Sequence, residues 1–89
     1  MGFIGLPTQT ASFIYPVPSA DDLPWNKGES PGKDWKWRGN GDAESGKGNW
    51  VNEKTGQKLH PDFDHPDPKG PHWGLQQPDG SIIDIFPPK

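Results

Sequence analysis

The chain contains no cysteine, so no disulfide staples its 89 residues and no thiolate is available as a zinc ligand or nucleophile. Aliphatic residues are scarce as well. Only 28% of positions are apolar, and twelve glycines with twelve prolines bring the composition near that of chains that stay unfolded. No stretch approaches the roughly eighteen apolar residues of a membrane span. The opening "MGFIGLPTQT" lacks the basic start and long apolar run of a signal peptide. No segment of about ten residues free of Pro and Gly carries a helical period, which argues against a long helix. Positive charge is short too: Arg38 is the one arginine and the formal net charge is −3. That balance argues against holding nucleic acid by bulk electrostatics, so any phosphate site must be local.

What the chain does have is tryptophan. Trp25, Trp35, Trp37, Trp50 and Trp73 bring large burial per residue and can supply a core that the aliphatics cannot. A chain this short has one core to build and therefore one domain. Residues 1–34, which include "TASFIYPVPSADDLPWNKGESPGKD", mix prolines, glycines and acids in no period and read as a linker-like segment. The alternative is that Phe13, Ile14, Tyr15 and Val17 add an edge strand, where Pro16 and Pro18 are tolerated.

Residues 35–89 read as a compact, mainly β domain of about four or five short strands in hairpins with long loops. "DWKWRG" alternates Trp35 and Trp37 with Lys36 and Arg38, the period of a half-buried strand. "NGDAESGKG" reads as a polar loop. "NWVNEKTGQKL" predicts a hairpin closed at Gly56, and "HWGLQQPDGSIIDIF" a second one turning at "PDG". The expected core is Trp35, Trp37, Trp50, Val51, Leu59, Phe63, Trp73, Leu75, Ile82, Ile83, Ile85 and Phe86.

Between the two hairpins lies "HPDFDHPDPKGPHW", which holds all three histidines. Imidazoles titrate near pH 6.5, so His60, His65 and His72 are the first candidates for general acid and base. RNA carries its own nucleophile in the ribose 2′-hydroxyl. A protein need only remove that proton, protonate the leaving oxygen and offset the developing charge. His65 with Asp62 or Asp64 suits the base, His72 the acid, and Lys69 or Arg38 the charge clamp. Prolines beside each histidine would hold these side chains in place. Equally, the stretch reads as a stiff crossover whose histidines and aspartates serve turns. A third reading is a divalent metal such as zinc bound by His60, Asp62, Asp64 and His65, although the spacing fits no standard zinc pattern. Trp35, Trp37 and Arg38 suit either a stacking platform or, for the tryptophans, plain core.

"WKWRG", "GKGNWVNEKTGQKLHPDFDHPDPKGPHW" and the later "PDG" turn, in that order over about Trp35 to Phe86, resemble the polymorphic toxin type 37 domain. The matching positions are Trp50, Asn52 to Gly56, His60 to Asp62, Asp64 to Pro66, and Gly70 to Trp73. Two positions depart from the pattern. Gly74 stands where an acidic residue is usual, and Asp84 lies near the place of an arginine in the last strand. The resemblance implies an endoribonuclease toxin of bacterial competition, secreted or delivered by contact, acting in the target cell's cytoplasm and restrained by a cognate immunity protein. It implies His65 and His72 as the catalytic pair, supported by His60, Asp62 and Asp64. The residues themselves put Arg38, Lys69 and Trp73 forward as contacts to the RNA substrate. No cofactor is required by that chemistry. The alternatives left open are a metal-dependent nuclease using the His/Asp loop and a non-catalytic protein-binding module.

Overall fold

A computed structural model describes residues 15–88, and in it each alternating run forms a strand. These are β1 (Trp35–Gly39), β2 (Gly48–Asn52), β3 (Lys58–Asp62), β4 (His72–Gln76) and β5 (Ile82–Ile85). They pair antiparallel in chain order β1-β2-β3-β4-β5 as one sheet. The mainly β expectation holds, and among the described residues the only helical turns are 3₁₀ turns at Ala20–Asp22 and Ala43–Ser45.

Turn chemistry sets the two expected hairpins. Asn52 accepts backbone N–H groups of Lys54 and Thr55 on its side-chain oxygen, and Gly56 closes the β2–β3 turn at φ 83°. At the β4–β5 turn the Gly80 N–H donates to the Gln77 carbonyl with φ 95° at the glycine. The histidine stretch is not a crossover between these hairpins but a third hairpin. His60–Asp62 ends β3, His72 opens β4, and Asp62 pairs directly with His72 across a loop of residues 63–71.

Period two then sorts the side chains. Trp37 opposite Trp50, Leu59 opposite Leu75, and Trp73 opposite Ile85 share one face. Leu59, Trp73 and Leu75 are almost wholly buried there. Val51, Ile82 and Phe86, expected in the core, fall on the opposite, open face, because each sits one residue from a core position. Ile82 is 68% exposed and Phe86 46%. The "NGDAESGKG" loop is not merely polar filler: Ala43 packs against the core, and Gly41 accepts a hydrogen bond from the Trp37 indole.

A lone sheet must have its apolar face covered, and here the cover is the segment expected as a linker. From Tyr15 onward that segment belongs to the folded domain; residues 1–14, with Phe13 and Ile14 of the alternative edge strand, lie outside the described residues. Leu23 is buried among the core side chains. The Trp73 indole donates to the Pro24 carbonyl at 2.8 Å, and Trp25, Phe63 and Trp73 form an aromatic chain with centroid spacings of 5.7 and 5.0 Å. Tyr15 does not extend the sheet. Its N–H and C=O instead pair with the two ends of the buried Gln77 side-chain amide, which stands in for a strand peptide. Gln57 completes the joint, donating to the Pro16 carbonyl and to Gln77. These bonds are what make two buried glutamines tolerable, since an unpaired buried amide costs about 1–3 kcal/mol.

Because the strap supplies core, Leu23→Ala is expected to lower stability by about 2–4 kcal/mol. Val17→Ala, at an exposed strap position, should change it by no more than about 0.5 kcal/mol. Urea denaturation of both variants checks this; equal effects would mean that the strap does not contribute to the core.

Candidate active site

The open face carries the polar partners of the core residues, and its layout follows from register. One row of cross-strand neighbours is Asp62 and His72, the next is His60, Gly74 and Asp84, and the third is Lys58, Gln76 and Ile82. Gly74 lies at the centre. A Cβ built there would meet nothing within 4 Å, so the middle of the face is a trough floored by backbone. All of these residues, with Asn49 from β2, line a groove of about 230 Å³.

Each histidine has its Nδ1 within hydrogen-bond distance of a backbone carbonyl: His60 at 2.7 Å from Gly48, His65 at 2.9 Å from Pro66, and His72 at 2.9 Å from Gly70. A carbonyl only accepts, so Nδ1 carries the proton and Nε2 is left as the basic nitrogen in all three. The His72 Nε2 stands 3.6 Å from an Asp62 oxygen and 3.7 Å from an Asp84 oxygen. A proton added to it is therefore flanked by two carboxylates. The rings of His65 and Phe86 lie 5.3 and 5.5 Å from that of His72, which is only 3% exposed. His60, by contrast, is exposed on the groove wall and makes no ion pair among the described residues.

The expected site residues therefore separate. His60, Asp62 and His72 come together on the groove. His65 touches His72 but is not part of the groove lining. Asp64 pairs with Lys27 of the strap, and the His65 Nδ1 meets the Pro66 carbonyl rather than Asp64. Arg38 lies on the open face but pairs with Glu53 at 2.7 Å, outside the groove. Lys69 reaches the groove margin, where its ammonium is 2.9 Å from Asp84. Trp73, expected at the substrate, is instead 1% exposed on the core face: it follows His72 directly, and consecutive strand residues point to opposite sides. The alternative metal set of His60, Asp62, Asp64 and His65 does not converge, and among the described residues no three His, Asp or Glu side chains are grouped for metal binding.

Asp84, Lys58, Gln76 and the Gly74 floor are site features that local reading missed. Asp84 and Gly74 had stood out only as departures from a motif. Alternation could have placed Lys58, two residues from His60, and Gly74, two from His72, on that face, whereas Asp84 and Gln76 reach the histidines through strand pairing. Lys69, by its hydrogen bond and then by its charge, holds the Asp84 carboxyl below the ordinary carboxylate range, against the partial desolvation that would raise it. His72 and His65 act in the same direction as Lys69.

Compared with protein-family models, curated proteins and solved structures, the chain finds no match.

A depressed carboxylate pKa means that the folded state binds fewer protons than the unfolded chain. The Asp84–Lys69 contribution is thus complete above the unfolded Asp value near 4 and is lost as pH falls through the lower folded value. Asp84→Asn is expected to flatten the acid limb of the stability curve in that window, measured as urea midpoints from about pH 5 downward. An unchanged acid limb would mean that the pair does not couple to folding.

Proposed function

We propose that this groove cleaves single-stranded RNA by metal-independent general acid–base catalysis, and that the chain is the ribonuclease domain of an antagonistic bacterial toxin. The observation that carries the chemical reading is the pairing of His60 and His72 on one groove, each with Nδ1–H committed to a backbone carbonyl and Nε2 left for proton transfer. They are diagonal neighbours across β3 and β4, a relation that sets such residues about 7–8 Å apart. That separation suits an acid and a base on opposite sides of one phosphate.

The two environments divide the roles. His60, with no carboxylate partner among the described residues, is the base: its Nε2 takes the 2′-hydroxyl proton, and the freed oxygen attacks phosphorus. His72, whose Nε2 faces Asp62 and Asp84, is the acid: it gives its proton to the departing 5′-oxygen. The bond from phosphorus to that oxygen breaks and a 2′,3′-cyclic phosphate remains. The bare floor at Gly74 gives the phosphate room between them, and Lys69, anchored at the margin by Asp84, adds positive charge beside it. His65 serves as a positioning residue whose ring packs on His72. Assigning the base to His60 rather than His65 follows from the groove lining.

The toxin setting, the immunity partner and action in a target cell's cytoplasm rest on the motif resemblance alone. No described helix is long and apolar enough to cross a membrane.

Incubation of the purified chain with single-stranded RNA in excess chelator is the direct test. Cleavage is expected to persist, with 2′,3′-cyclic phosphate ends and a bell-shaped pH dependence. His60→Ala and His72→Ala should each lower kcat/KM by about 10²–10⁴. Retained rates in both variants would sink the assignment, and cleavage abolished by chelation would return the metal-dependent reading. Gly74→Leu should fill the trough and stop cleavage while the far-UV spectrum and unfolding midpoint stay near those of the parent. For the toxin setting, expression inside a bacterium should arrest growth, and His72→Ala should relieve the arrest.

A further inference from the structure

The acid–base pair and the phosphate use only part of the groove. Its volume of about 230 Å³ is many times the roughly 10–15 Å³ that holds one water. The row formed by Lys58, Gln76 and Ile82 lies two residues along the strands from the His60–Gly74–Asp84 row, a displacement of about 7 Å. This row takes no part in the proton transfers. It nevertheless presents a cation, an amide and an apolar wall side by side, and Ile82 is among the most exposed large hydrophobic side chains of the described residues.

Resting on the ribonuclease reading above, we propose that this end of the groove reads the base of the nucleotide whose 2′-hydroxyl attacks, and that it selects a keto base, guanine or uracil. The position follows from His60. The base that removes the 2′-proton must stand beside the 5′-side nucleoside, and His60 is the histidine adjacent in β3 to Lys58, with one residue between them. His72 lies toward Phe86 at the other end, which leaves the departing nucleoside against an exposed aromatic ring. Stacking there tolerates every base.

The selectivity follows from donors and acceptors. An unstacked base exposes its Watson–Crick edge. Guanine and uracil each offer a carbonyl oxygen next to a ring N–H. The Lys58 ammonium has only hydrogens to donate and meets the carbonyl, while the Gln76 side-chain carbonyl accepts from the ring N–H. Adenine and cytosine put an exocyclic amino group where guanine and uracil have that carbonyl, so its N–H would face the Lys58 ammonium with donor against donor. Ile82 covers one face of the ring and excludes water from these bonds. Neither Lys58 nor Gln76 makes an ion pair or side-chain hydrogen bond among the described residues, so both are free for a ligand.

The test uses four DNA strands, identical except for one central ribonucleotide, G, U, A or C, so that each holds a single cleavable 2′-hydroxyl. The G and U strands are expected to exceed the A and C strands in kcat/KM by about ten- to hundredfold. Gln76→Ala should pull the G and U rates down toward the others and flatten that preference. Binding of the same strands, fluorescently labelled, to the His72→Ala chain gives a readout without catalysis and should follow the same order. Equal cleavage of all four by the parent, or a preference that survives Gln76→Ala, overturns the base site while leaving the ribonuclease reading intact. Binding that prefers G and U in a chain whose parent cleaves nothing supports the site and overturns the ribonuclease reading. Neither cleavage nor a binding preference overturns both.

Discussion

A single five-stranded sheet has two faces, and where the described residues offer no α-helix to lay on it the apolar face must find another cover. Here the cover is the irregular segment from Tyr15 through the residues before β1. Irregular backbone cannot satisfy its own polar groups as a helix does, so its attachment depends on side chains that imitate a strand. Gln77 offers Tyr15 an amide with the donor and acceptor of a peptide unit, and the Trp73 indole offers Pro24 a donor. Removing the strap would uncover Trp73, Leu59 and Leu75 together, the most deeply buried apolar side chains among the described residues. The order of the open face depends on this cover, because every groove residue is held by a strand whose other side is packed beneath it.

Chemistry and stability therefore divide between the two sides of the same strands. Trp73 anchors the core while its neighbour His72 faces the groove; Leu59 is wholly buried while Lys58 and His60 stand on the other side. The open face gains precision from backbone rather than from a dense side-chain network, since each imidazole is oriented by a carbonyl. The acidic balance of the whole chain is offset locally. Lys58, Lys69 and two imidazoles that can take up protons surround a groove whose carboxylates, Asp62 and Asp84, both face His72. Surface pairs such as Arg38–Glu53, exposed on both sides, contribute little to this arrangement.

The strands and two of the turns were legible because alternation and turn chemistry are local. "WKW", "PDG" and the Asn52 to Gly56 turn each carry their signal within a few residues. The third hairpin was not legible, since a proline-rich loop of residues 63–71 looks the same whether it joins paired strands or separate ones. The strap was less legible still: Leu23 and Trp25 sit among prolines and acids with no period, and only contact with the sheet distinguishes them from linker. In the site, His60, Asp62 and His72 were visible as residue types. Asp84 and Gln76 were not, because what brings them to the histidines is pairing between strands.

By itself, the sequence determined a β domain without disulfides, a core built on tryptophan, and a concentration of titratable side chains in one stretch, because composition and period two act through neighbours in the chain. Only the tertiary structure decided which face each residue joins and which partners it meets. Register does this: a shift of one residue sends Trp73 to the core and His72 to the groove, and pairing across β3, β4 and β5 gathers residues 58 to 84 around Gly74. Such proximity is a property of the assembled sheet, and no local pattern encodes it.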